Sequence, residues 1–169
     1  DVLILAGDIA LASNLDTAID QFFAHVSKEF PLVFYVMGNH EHYSGDFYET
    51  KKRLENFLRP YTNIMLMDNY YAVLDDVAFF GGTLWTNLKN RDPFIVMDVA
   101  GAMNDFRYIK MGKNKFHPTQ TVIEHDKTMD ELQAALARSN ASKMVVITHH
   151  APSSKSSHER FIGDLTNYA

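Results

Sequence analysis

Asp8, Asn39, His40, His149 and His150 each lie directly after a short apolar run: Val2 to Gly7, Leu32 to Gly38, and Met144 to Thr148. Runs of this kind read as strands buried on both faces of an α/β sheet. Ligands in such sheets collect outside the carboxyl ends of the strands, so residues far apart in sequence meet in one crevice. A carboxylate, an amide oxygen and an imidazole, with no sulfur, suit a borderline divalent ion such as Mn, Fe or Zn better than Ca or Mg alone. A carboxylate also bridges two ions, and two cations about 3.5–4 Å apart activate water and clamp phosphoryl oxygens. The chemistry open to such a crevice is hydrolysis of a phosphate ester.

Each position also has a plainer reading. Gly7-Asp8 and Gly38-Asn39 are ordinary turn pairs when taken singly, and the coincidence of three strand ends is what favours a site. His149 and His150 are adjacent, so on an extended strand they point to opposite faces and only one serves a given ion. We assign His149 as the ligand. His150 either touches phosphate or caps the loop, and the reverse assignment stays open. His40 is placed to donate a proton to a leaving oxygen, with Glu41 orienting it or touching substrate. His125 reads as a core histidine satisfied by a hydrogen bond, and Trp85 as packing before pocket wall. Asn104, Asp105 and Arg107 lie in an irregular stretch, and nothing in their spacing requires them at the site.

The elements that must position these residues follow from the pattern. Leu15 to Val26 repeats apolar residues at helical spacing after Ser13 and Asn14, both good caps. The order strand, helix, strand predicts a parallel crossover. A second helix is expected over Asp46 to Leu58, before Pro60. Three apolar pieces between Ile64 and Leu84 read as an antiparallel meander in a second sheet. Residues 86–118 are irregular, Thr119 caps a helix to about Ala137, and a terminal helix is expected around Phe161 to Tyr168. The sum is an α/β fold: an α/β/β/α sandwich of two mixed sheets with outer helices, one domain over residues 1–169.

Composition narrows the function classes. The 169 residues are 46% hydrophobic, enough for a sizeable core, with a formal net charge of −5. That balance argues against a broad basic surface for nucleic acid. Cysteine is absent, which excludes disulfides and thiolate metal sites and fits a reducing, cytoplasmic setting. No apolar run approaches bilayer length, so no membrane partner is expected.

Taken together, Gly7-Asp8, then Gly38-Asn39-His40-Glu41, then a strand ending in His149 resemble the calcineurin-like metallophosphoesterases, and the resemblance covers the whole chain. The tetrapeptide carries it: a Gly-Asn-His followed by an acid arises by chance in a chain this long on the order of once in a thousand. The segments Gly81 to Thr86 and Thr148 to Pro152 look most like compact bacterial and phage-type members. The resemblance implies that Asp8 bridges two divalent ions, that Asn39 and His149 ligate the second, and that His40 assists phosphoryl transfer to or from a small phosphate-ester substrate. It also implies an Asp-x-His before Asp8 and a Gly-His-x-His after His149, and neither is present. The first ion would keep only Asp8, so at most one ion, weakly held, is expected, with activity impaired and the chain a piece of a longer parent. The competing expectations are a nuclease of the same fold and a scaffold that has lost catalysis.

Overall fold

The computed structural model describes residues 1–156, 158–161 and 164. β1 (Val2–Ala6), β2 (Leu32–Val36) and β3 (Ile64–Met67) form one sheet in that order, parallel throughout. α1 (Thr17–Glu29) makes the first crossover and α2 (Phe47–Leu58) the second. The side of this sheet that meets the helices is apolar: Phe23 and Val26 of α1 and Leu54 and Leu58 of α2 pack with Val33 and Tyr35 of β2. Asp16, not Ser13 or Asn14, caps α1, its carboxylate accepting from Ala18 N at 3.0 Å and Ile19 N at 3.1 Å. The Ser13 hydroxyl donates to the Tyr43 carbonyl instead.

β4 (Tyr70–Leu74), β5 (Val77–Gly82) and β8 (Lys143–Thr148) form the second sheet. β4 pairs antiparallel with β5, and β5 pairs parallel with β8. The expected meander is therefore corrected: Ile64 to Met67 joins the first sheet, which is wholly parallel, and only the second sheet is mixed. A short apolar strand fits a buried parallel position as well as a hairpin, and periodicity does not separate them. The two sheets meet through Phe34, Val36 and Met67 on one side and Phe79 and Ile147 on the other. The Phe34 and Phe79 rings lie 4.8 Å apart, a pairing worth about 0.5–1.5 kcal/mol beyond area burial.

The irregular stretch is ordered into short pieces: α3 (Leu88–Arg91), α4 (Pro93–Ala102), α5 (Asp105–Tyr108), and the small hairpin of β6 (Lys110–Met111) with β7 (Asn114–Lys115). α3 is a left-handed turn, with φ at +50° for Leu88, +52° for Lys89, +59° for Asn90 and +65° for Arg91. α6 (Pro118–Arg138) follows, capped by His117 rather than Thr119. Its buried face runs through Thr121, Val122, Thr128 and Ala135, and Leu136 is exposed. His125, half-buried, donates from Nδ1 to the Trp85 carbonyl and is satisfied by that bond. A 3₁₀ turn covers Glu159–Phe161, and the rest of the expected terminal helix lies outside the described residues. Among the described residues no helix is long and apolar enough to cross a membrane.

Candidate metal centre

β1, β2 and β8 end side by side, and their tips bring Asp8, Asn39 and His149 together. His149 Nε2 is 3.1 Å from Asn39 Oδ1 and 3.3 Å from Asp8 Oδ1. Two glycines make room. Gly7 sits at φ +90°, and a Cβ there would lie 2.4 Å from His149 Nδ1. A Cβ on Gly38 would lie 2.3 Å from Asp8 Oδ1. Asp8 is itself left-handed at φ +59°, a conformation that aspartate tolerates better than most residues.

The Ala6 carbonyl lies 2.9 Å from His149 Nδ1, and a carbonyl only accepts, so Nδ1 carries the proton. With its proton on Nδ1, a neutral ring presents the Nε2 lone pair to the cluster. It faces two oxygens: Asp8 Oδ1, which already accepts from His40 N at 3.0 Å, and Asn39 Oδ1. The Asn39 Nδ2 is taken up by the Asp105 carboxylate at 2.7 Å. Asp8 Oδ1, Asn39 Oδ1 and the Nε2 of a neutral His149 are atoms of the kinds that ligate a divalent ion, and they face one another here. Their spacing fits a metal ion, since ligands about 2.0–2.2 Å from a shared ion sit about 3.0–3.5 Å from each other. The donor set suits one borderline divalent ion. Among the described residues no group of three His, Cys, Asp or Glu stands around a common point; the third donor of this cluster is an amide.

His40 is exposed, with Nδ1 3.5 Å from Asp8 Oδ2 and the Tyr43 ring 4.4 Å away. Glu41 makes no bond to the His40 ring and is not open to substrate; it stands behind the ligands instead. Glu41 is fully buried and accepts from Asp8 N, Ile9 N, Gly38 N and Tyr35 OH at 2.7–3.0 Å. It locks the two loops that carry Asp8 and Asn39. Burial, then the Glu41 charge, pushes the Tyr35 phenol far above its ordinary value, so Tyr35 stays a donor. His150 turns away from His149, with ring centroids 5.0 Å apart, and packs 5.3 Å from Trp85. Burial and the neighbouring His149 lower it to about 4, so it is neutral at pH 7.

Two further residues belong to the site. Asp105 and Tyr43 hold Asn39 from behind, Tyr43 OH donating to Asp105 Oδ1 at 2.7 Å. Tyr43 gave no signal in the sequence beyond lying four residues past Asn39.

A family model for calcineurin-like phosphoesterases matches residues 1–168. The chain belongs to the calcineurin-like phosphoesterase family. Its members generally use divalent metal ions to hydrolyse phosphoesters, and this calcineurin-like phosphoesterase has the α/β fold expected of them. It is similar to the uncharacterized protein L509 of Acanthamoeba polyphaga mimivirus, 31% identical over 162 residues, with 89% of this chain and 55% of the viral protein covered. The chain thus spans about half the length of the curated relative it matches. No solved structure matches it.

Proposed function

We infer that this calcineurin-like phosphoesterase hydrolyses small phosphate mono- or diesters, using a divalent ion of the Mn, Fe or Zn class held by Asp8, Asn39 and His149. The observation that carries the reading is the convergence of Asp8 Oδ1, Asn39 Oδ1 and His149 Nε2 at the tips of three strands. A divalent ion there supplies charge neutralisation for the phosphoryl group and acidifies water. The chain's own residues do the rest. His40, half open to solvent beside Asp8, donates the proton that the leaving oxygen needs. His150, neutral and packed on Trp85, holds the loop rather than the substrate. A net charge of −5 supports a small ester over a polyanionic nucleic acid.

The same donor set supports one ion rather than two. On its second oxygen Asp8 has only His40 Nδ1, at 3.5 Å, so a binuclear centre within these residues lacks ligands and turnover is expected to be slow. Titration of the chain with Mn²⁺, followed by assays on p-nitrophenyl phosphate and its diester, tests this. One ion bound per chain with weak, His40-dependent turnover is expected. Full turnover with two ions per chain would refute the single-ion reading, and ion binding without turnover would make the chain a scaffold.

A further inference from the structure

An amide side chain carries an acceptor oxygen at one end and a donor NH₂ at the other, in nearly the same shape. Which end faces a cation decides whether the residue binds or repels it. For Asn39 that choice is made outside the cluster. Asp105 is buried at 4% exposure, and its Oδ1 accepts from Asn39 Nδ2 at 2.7 Å and from Tyr43 OH at 2.7 Å. A carboxylate offers no donor, so the NH₂ end is drawn back to Asp105 and Oδ1 is turned toward His149 Nε2, 3.1 Å away. Tyr43 closes the triangle, 3.4 Å from Asn39 Nδ2. Its phenol donates to Asp105 Oδ1 at 2.7 Å, so the same carboxylate oxygen holds both neighbours.

We propose that Asp105 is a positioning residue that fixes the Asn39 amide with its oxygen toward the cation, and so sets the affinity of the centre. This rests on the reading of Asp8, Asn39 and His149 as a cation site. Metal centres depend on such outer partners, whose loss weakens binding about 10–100-fold. The exchange Asp105→Asn is diagnostic because it keeps size and hydrogen-bonding capacity. An asparagine at 105 can also turn its NH₂ to Asn39, which is then satisfied by a reversed Asn39 whose own NH₂ faces the cation, an arrangement that aspartate does not allow.

Calorimetric Mn²⁺ titration, with thermal melts of the metal-free protein, tests the assignment. Asp105→Asn is expected to weaken Mn²⁺ binding at least about tenfold while the metal-free melting temperature stays near that of the parent. The exchanged pair Asn39→Asp with Asp105→Asn restores one donor facing one acceptor and leaves a free oxygen at the cluster, so affinity returns to the parent value or better. Equal affinity of the parent and Asp105→Asn would overturn the proposal. So would an exchanged pair that folds yet binds as weakly as the single variant, and that measurement decides the matter if Asp105→Asn alone does not fold. A parent chain that binds no Mn²⁺ sinks the cation site itself, a result distinct from both.

Discussion

Glu41 and Asp105 are both buried acids at the same site, and neither faces the cluster directly. Glu41 satisfies backbone N–H groups of the Asp8 loop and the Asn39 loop at once, which makes it the tie between β1 and β2 at their tips. Glu41→Gln replaces one acceptor oxygen by an NH₂ and leaves buried donors facing a donor, at about 1–3 kcal/mol for each orphaned group. We expect the unfolding free energy to fall by about 3 kcal/mol, measured as a lower urea midpoint with an unchanged slope. A loss within experimental error would mean that the loops hold without it. At this scale the sequence was legible where chemistry coincides with a strand end: Asp8, Asn39 and His149 each terminate an apolar run, and the structure brings their side chains together. Asp105 was weighed and set aside, because it opens a four-residue helix with no periodicity to place it. Glu41 stands in the tetrapeptide itself, yet its direction depends on backbone amides that no side-chain pattern reveals.

Among the elements, α3 is the least expected. Left-handed helical geometry costs L-residues roughly 1–2 kcal/mol each, and α3 contains no glycine to relieve it. The turn is held by Leu88, fully buried against Trp85 and Ile95, by the Asn87 side chain accepting from Asn90 N, and by the Arg91–Asp126 ion pair that fastens it to α6. Lys89 is exposed at φ +52° and ψ +53°. Lys89→Gly should therefore raise stability by about 0.5–1 kcal/mol, the relief of backbone strain exceeding glycine's greater loss of chain entropy. Chemical denaturation of the two chains checks this, and a less stable variant would show the turn to be unstrained. Elements with a periodic pattern are legible nearly to their ends: α2 runs Phe47–Leu58 against an expected Asp46 to Leu58, with Asp46 its cap. The partner of β3 was misread because Ile64 to Met67 carries no alternation that distinguishes a central parallel strand from a hairpin arm.

In the whole molecule the three apolar clusters are separate, and His42 sits where one of them meets a cavity of about 160 Å³. His42 is 3% exposed, stacks on Phe47 with ring centroids 4.6 Å apart, and has a buried Nδ1 without a partner. Burial lowers its pKa to about 4, against a weaker opposing pull from Asp68. The unfolded chain takes up a proton on this ring near pH 6.5 whereas the folded chain resists until about pH 4. Stability from this residue is thus complete above pH 6.5 and lost progressively as pH falls toward 4, by about 3 kcal/mol at most. His42→Phe keeps the stack and removes the titration. Urea midpoints at pH 7, 5.5 and 4 should fall less steeply for the variant than for the parent, and parallel curves would show that His42 is not neutral in the fold. His150 titrates alike in both chains and cancels from the comparison.

The bond from His149 to the Ala6 carbonyl crosses from the second sheet to the first and joins residues 143 positions apart. Neither sheet alone presents a cluster, so an ion finds its seat only after the two halves have docked. Long-range contacts repay their loop-closure cost only once formed, and interactions absent from the transition state slow unfolding while leaving the folding rate nearly untouched. Were a cation held there, it would act as a rivet, expected to slow the parting of the halves more than it speeds their docking.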